Sequence, residues 1–247
     1  MPDSLLMSAL LPDCPIRTLE ETVSTNTDAR AWLNDGAAHG SLVMADCQSG
    51  GRGRMGRAFC SPQGGLYMSL VMHTDAPAGA LTTLCAVAVR QAVEALCGIS
   101  ADIKWVNDLQ LSGKKVCGIL CEGVYEGSER LGVVAGIGLN VAVKAFPPEL
   151  SGIAASLYPQ GDAPAPLERF AAEIARRILD QLPVIPAHMA EYRAHCVTLG
   201  KTVSWQDADG EHSGYAAAVA DDGALLIETQ RGTLRLAAGE VSLRAGD

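Results

Sequence analysis

Positive charge is scarce in this chain. Its 247 residues carry 19 lysines and arginines against 28 aspartates and glutamates, a formal net charge of −9. Binding to a phosphate backbone needs a basic footprint, so general nucleic-acid binding is excluded as the main role. Metal-ligand spacing is missing too. The cysteines at 14, 47, 60, 85, 97, 117, 121 and 196 include no CxxC pair, and the five histidines do not cluster with them, so a zinc site is not expected. Several of these cysteines lie in apolar runs such as LTTLCAVAV and VCGILCEG, where a thiol acts as a small core hydrophobe. Free thiols in this number point to a reducing, cytoplasmic setting. The N-terminal MPDSLLMSALLPDCP has no basic region ahead of its apolar run, and Pro12 interrupts that run, so no signal peptide is expected. No stretch reads as a membrane span. Internal repeats, heptads and low-complexity tracts are also lacking.

Hydrophobic residues make up 48% and charged residues 19%, enough for one large domain or for a large domain with a small one. VSTNTDARAWLNDG reads as a helix, with Thr25 and Asp28 spaced as a capping box, Ala29, Trp32 and Leu33 facing inward, and Gly36 as the stop. SLVMAD (41–46) and LYMSLVM (66–72) read as buried strands. Residues 81–97 place apolar side chains at helical period before Gly98. ADIKWVND, KKVCGILCEG and RLGVVAGIGLNVAV are strand-like and joined by short turns, which predicts antiparallel neighbours. Residues 146–166 hold five prolines and read as loop. Pro166 then opens the helix PLERFAAEIARRILDQL. From about Leu199 the texture changes to short, evenly spaced strands (KTVSW, GYAAAV, ALLIET, TLRLA and EVSLR), the signature of a small β-barrel. These runs predict an α+β protein whose mixed, mainly antiparallel sheet has helices packed on one side. The large domain covers 1–195 and the small barrel 196–247.

The most chemically legible stretch is DCQSGGRGRMGRAFCSPQGGLY, between Asp46 and Tyr67. Arg52, Arg54 and Arg57 are spaced by Gly51, Gly53 and Gly56. Glycine lets backbone N–H groups approach a ligand, and guanidinium offers a fixed fork of donors to phosphate or carboxylate. Such a loop can close over an anion. A flexible tether or a solvated turn would have a similar composition, so the loop alone does not decide.

Three more motifs follow or precede it in fixed order: STN at 24–26, KWVND at 104–108 with KKVCGIL at 114–120, and GIGLNV at 136–141. Together, over residues 20–145, they closely resemble the catalytic core of the biotin protein ligases. Residues 196–244 resemble that family's small terminal domain. The resemblance implies the class II synthetase-like biotin–lipoate ligase fold with an SH3-like β-barrel. It also implies an ATP-dependent, AMP-forming ligase, using magnesium with ATP. Biotin and ATP would form biotinyl-5′-AMP. The biotinyl group would then pass to one lysine of a biotin carboxyl carrier protein, from acetyl-CoA carboxylase or another biotin-dependent carboxylase.

Carried over by position, Ser24, Thr25, Asn26 and Gln48 would line the biotin head. Gly51, Arg52, Gly53 and Arg54 would close over biotin and phosphates, with Arg57 a weaker candidate. Lys115 would bridge the biotin carboxylate and the α-phosphate, and Gly118 would allow close approach. In a strand Lys114 and Lys115 face opposite ways, so Lys114 is expected at the surface. Lys104, Asn107 and Asp108 match the next motif, although Val106 stands where the family usually has proline. Phe59 replaces a common tryptophan, keeping a stacking face but losing area and the indole N–H. Gly136, Gly138 and Asn140 fit a strand beneath the ligand, with Asn140 on the nucleotide side. Only about two dozen residues precede STN, too few for the helix-turn-helix domain of many relatives, so no DNA partner is expected. The competing readings are a lipoate or octanoate ligase of the same fold, an RNA-contacting module and an inactive biotin sensor. Oligomeric state is not legible.

Overall fold

The computed structural model describes residues 1–207, 210–237, 239 and 241–243. A short helix α1 (Ser4–Leu10) leads to β1 (Ile16–Thr22), α2 (Thr25–Asn34), β2 (Leu42–Gln48), β3 (Leu66–Met72) and the long α3 (Ala78–Cys97). Then come β4 (Asp102–Lys104), β5 (Asp108–Leu111), β6 (Lys114–Glu126), β7 (Glu129–Leu139), α4 (Leu167–Gln181) and α5 (Met189–Ala194). Seven strands form one sheet in the order β1-β2-β3-β7-β6-β5-β4. Only β1–β2 is parallel; the other pairs are antiparallel. This is the mixed, mainly antiparallel α+β architecture that the sequence predicts. The sequence did not signal α1 or β1. The burial of β1 does not alternate cleanly, as fits an edge strand.

Every residue of β3 is buried, because helices cover both faces of the sheet. Leu42, Met44, Met68, Leu70, Ile119 and Ile137 pack with α3 and α4 in the main core. Val43, Val71 and Val134 point the other way, onto Ala29 and Leu33 of α2. Helices on one side only was therefore the wrong expectation: the apolar stripe of α2 covers the opposite face. At 20 residues α3 is, against expectation, long and apolar enough to cross a bilayer. Most of it is buried inside the protein, however, and Arg90 within it pairs with Glu94 and Glu191. It is a core helix, stopped by Gly98 in the left-handed region at φ 66°.

The Thr25–Asp28 capping box does not form. Ser24 is the N-cap, Thr25 N donates to Gln48 Oε1 at 2.9 Å, and Asp28 Oδ2 accepts from Thr22 Oγ1 at 2.6 Å. The helix start is thus tied to the end of β2 rather than capped by its own side chains. ADIKWVND is not one strand but two, turning at 105–107 through a cis Trp105–Val106 peptide. Trp105 N donates to Thr198 Oγ1 and its Nε1 to Gly223 O, both at 2.9 Å, while Tyr192 Oη donates to Val106 O at 3.1 Å. That turn is where the two sheets meet.

The second sheet contains β8 (Thr202–Asp207), β9 (Gly210–Val219), β10 (Leu225–Thr229), β11 (Gly232–Leu236) and β12 (Ser242–Leu243), in the antiparallel order β11-β10-β9-β8-β12. Its strand number and pairing suit the small SH3-like module that the sequence predicts. Parts of the expected DADGEH and AG turns (208–209 and 238) and of the GEVSLR strand (240 and 244), with 245–247, lie outside the described residues.

His188, just ahead of α5, places Nε2 2.8 Å from Thr83 Oγ1 of α3, and burial, with Arg193 nearby, pushes the imidazole down to about 4. The unfolded chain, titrating near the usual 6.5, binds the proton first. Stability is then complete above about pH 6.5 and falls as the pH drops toward 4, by on the order of 3 kcal/mol. Urea unfolding of His188→Gln between pH 7 and 4 should show a flatter pH dependence than the unsubstituted protein.

Candidate functional site

Register brings the site residues together. Across the sheet Asp108 of β5 pairs with Gly118 of β6, Gly118 with Gly138 of β7, and Gly138 with Tyr67 of β3. Two residues along, Leu120 pairs with Gly136, and Gly136 with Ser69. Paired positions share a face. This face, the one that α2 covers, therefore carries a strip of bare backbone at Gly118, Gly136 and Gly138.

Side chains from outside the strip fill it. A Cβ on Gly136 would lie 2.1 Å from Asn26 Oδ1, and one on Gly138 would lie 2.3 Å from the Phe59 ring. A Cβ on Gly118 would meet Lys115 Cε and Phe59, each at 2.9 Å. The sequence reading gave these glycines to ligand approach. They also make room for Asn26, Phe59 and Lys115. Lys115 Nζ pairs with Asp108 Oδ1 at 2.7 Å and lies 5.7 Å from the centre of the Phe59 ring, within cation–π range. Lys114 is exposed. Beside the strip, Gly64 and Gly65 lead into β3, where Tyr67 Oη donates to Pro62 O at 2.6 Å.

A cavity opens over this strip. Ser24, Thr25, Asn26, Gln48, Arg52, Gly53, Arg54, Phe59, Lys104, Asn107, Lys115, Gly118, Gly136 and Gly138 all line it. Two predicted residues do not. Gly51 sits behind the wall, where a Cβ would meet Phe59 O at 2.5 Å and Ser61 Oγ at 2.6 Å. Asn140 holds the 153–158 segment: its Nδ2 donates to Ala155 O at 3.1 Å and its carbonyl accepts from Leu157 N at 2.9 Å. Its Oδ1 is buried with no partner in the protein. Asp108 of the KWVND motif also lines the cavity, whereas Ser69 and Glu122, bonded to Asn26 from beneath it, stood outside the predicted set. Strand register, which a single sequence does not give, is the signal that finds them.

The arginine segment is a hairpin. Gln48 bridges Ser61, Arg52 bridges Ala58, and Gly53 N donates to Arg57 O at 2.7 Å. Its tip turns at Met55, with φ 54°, and at Gly56, with φ 75°. The hairpin hangs Arg52, Arg54 and Arg57 over a cavity that also holds Lys104 and Lys115, against one carboxylate among the described residues, Asp108. In a protein of net charge −9 this cavity concentrates positive potential where an anion would enter. Its opposite end offers the hydroxyls and amides of Ser24, Thr25, Asn26 and Gln48. The arrangement suits a ligand that is polar but uncharged at one end and anionic at the other, beside a second anion.

Residues 19–140 match the biotin/lipoate A/B protein ligase family, and residues 198–244 match the biotin protein ligase C-terminal domain. The bifunctional ligase/repressor BirA of Bacillus subtilis is 34% identical over 232 residues, covering 89% of this chain and 71% of that protein. The biotin–(acetyl-CoA-carboxylase) ligase of Paracoccus denitrificans is 32% identical, covering 90% of this chain and 98% of that protein. The solved biotin protein ligase of Aquifex aeolicus, in complex with biotin and ATP, matches with a TM-score of 0.80 at 27% identity, over 93% of this chain and 98% of that one. The chain belongs to the biotin protein ligases of the biotin/lipoate A/B protein ligase family.

If Gly136 is glycine in order to seat Asn26, then Gly136→Ala must displace that side chain. The overpacking should destabilise the protein by about 1–3 kcal/mol, read as a lower denaturation midpoint at unchanged m-value. A crystal structure of the variant should show Asn26 rotated away from Ser69.

Proposed function

We propose that the protein activates biotin with ATP to biotinyl-5′-AMP and transfers the biotinyl group to the ε-amine of a lysine on a biotin carboxyl carrier protein. The observation that carries this reading is the two-ended cavity on the glycine strip. Ser24, Thr25, Asn26 and Gln48 offer polar partners for a ureido ring where Asn26 sits over Gly136, Lys115 supplies positive charge two register positions away over Gly118, and Lys104, Arg52 and Arg54 add to the positive lining. A dithiolane or a plain alkyl chain has no N–H or C=O for the first end, which favours biotin over lipoate or octanoate.

In the first step a biotin carboxylate oxygen attacks the α-phosphorus, and the bond to pyrophosphate breaks. Two anions must approach, so the site has to cancel their repulsion and hold them in line. Lys115 does this between carboxylate and α-phosphate, with Asp108 fixing its Nζ from the other side. Arg52 and Arg54 close from the hairpin. Phe59 offers a ring face. Magnesium arrives with ATP. Mg²⁺ keeps water and phosphate oxygens as most of its ligands, and Asp108, the one carboxylate among the described cavity residues, fits that modest demand; bound there, the ion would screen phosphate charge. In the second step the carrier's lysine nitrogen attacks the acyl carbon, AMP leaves, and the nitrogen loses a proton.

A route through a cysteine thioester would need a thiol that ionises readily. Burial pushes Cys60 and Cys117 upward. Cys121 is pushed down by a hydrogen bond to Cys85, but strand alternation turns it to the face of β6 away from the cavity. The eight free thiols support a cytoplasmic setting. We keep the division into a catalytic domain (1–195) and a C-terminal domain (196–247) as part of this proposal.

Removing one preorganised charge-stabilising donor costs on the order of 100- to 1,000-fold in rate. Lys115→Gln should slow biotin-dependent pyrophosphate release by that order, and preformed biotinyl-adenylate should restore part of the transfer. The exposed Lys114→Gln should release pyrophosphate at close to the unsubstituted rate. Exchanged phenotypes would refute the assignment.

A further inference from the structure

Beneath the polar end of the cavity runs a chain of four oxygens. Asn26 Oδ1 lies 2.6 Å from Ser69 Oγ, Ser69 Oγ lies 2.8 Å from Thr25 Oγ1, and Thr25 Oγ1 lies 3.2 Å from Gln48 Oε1. The two ends are amide carbonyl oxygens, which only accept, and the two hydroxyls own one proton each. Three contacts must therefore share two protons.

The sense of both amides is fixed from outside the chain. Gln48 Oε1 accepts from Thr25 N at 2.9 Å while its Nε2 donates to Ser61 Oγ at 2.8 Å. Asn26 Nδ2 donates to Glu122 Oε2 at 2.9 Å, with Leu120 O a weaker acceptor at 3.4 Å. Arg30 pairs with the other oxygen of Glu122 at 3.3 Å. A carboxylate accepts only, so Glu122 holds the Asn26 amide with its oxygen toward Ser69. Were Asn26 reversed, its NH₂ would supply the missing proton and all three contacts would be satisfied.

Distance decides which contact goes without. Two acceptors facing at 2.6 or 2.8 Å repel far more than two at 3.2 Å. Ser69 therefore donates to Asn26, Thr25 donates to Ser69, and the contact between Thr25 Oγ1 and Gln48 Oε1 has no proton. Both of those residues line the cavity.

We propose that Glu122 and Ser69 are positioning residues that set the proton direction of this chain, leaving Thr25 Oγ1 and Gln48 Oε1 as an acceptor pair for a ring N–H of the substrate. The inference rests on the ligase reading, with biotin's ureido ring as that substrate group. It gives a reason for an acidic residue outside the cavity wall and a buried serine under it: together they keep the free site one proton short. A ligand N–H makes good the deficit, and a ring oxygen in its place adds a third acceptor.

The test is calorimetric titration of biotin and of its two analogues in which one ring N–H is replaced by oxygen. In the unsubstituted protein one analogue should bind at least roughly 30-fold more weakly than biotin, as expected where a site's polar groups are left unpaired. Glu122→Gln frees Asn26 to reverse. Biotin should then weaken about 10- to 100-fold, and the ratio between biotin and that analogue should fall to about 3 or less. KM for ATP should not move, and kcat at saturating biotin should stay within about threefold, a split that general damage to the site would not give. Ser69→Ala should reproduce the collapsed ratio. If it does not fold, the partly exposed Glu122→Gln carries the test alone. A ratio preserved in Glu122→Gln overturns the proposal and leaves the ligase reading standing. Absence of biotin binding by the unsubstituted protein overturns both.

Discussion

Gly118, Gly136 and Gly138 leave bare backbone across the two central strands, and Lys115, Asn26 and Phe59 fall into the space. Everything chemical in the protein depends on that space. A single methyl at 136 or 138 would come within 2.1–2.3 Å of the side chain now seated there. Glycine inside a strand costs roughly 0.5–1 kcal/mol relative to alanine, because more backbone freedom is lost on folding. The sheet offsets this by length. β6 and β7 run 13 and 11 residues, pair along nearly their whole extent, and have α2 on one face and α3 on the other.

Charge is organised against the average of the molecule. Among its described residues, an acidic protein places five basic side chains and one carboxylate around a cavity, then holds the central pair, Lys115 and Asp108, on adjacent strands. The cations do not come from one local run. Arg52, Arg54 and Arg57 ride on a hairpin whose φ > 0 tip lets it turn tightly, whereas Lys104 and Lys115 sit on the sheet itself. Cations on sheet strands are held more precisely than cations on a loop. The KWVND turn adds a link to the second sheet: Trp105 reaches Gly223, and Asn107 binds Ile119 of β6 at 2.9 Å.

Much of this was legible in the sequence, and the failures are physical. Apolar period gave α3 and α4, and β2, β3, β6 and β7 followed from apolar runs between turn residues, whereas β4 and β5 were read as the one run ADIKWVND. The order of the four motifs pointed to the family and to the polar and charged side chains of the cavity lining. The Thr25–Asp28 spacing misled because the competing partner, Gln48, is 23 residues away in sequence and takes the Thr25 N–H. Edge strand β1 lacked an apolar pattern because little of it is buried. Ser69 and Glu122 look like ordinary members of strands; they acquire a role only when register sets Ser69 beside Gly136 and brings Glu122 to Asn26. Asn140 was read toward the ligand, and its protein contacts go instead to the segment at 155–157.

The central claim is that one cavity joins a ureido-binding end to a carboxylate-activating end. Intact-mass measurement of a purified biotin carrier domain, incubated with the protein, biotin and MgATP, tests it most directly. The account predicts one biotinyl group added to one lysine, only when both biotin and ATP are present. A carrier left unmodified by biotin, with modification of a lipoyl domain when lipoate or octanoate is supplied in its place, would contradict it.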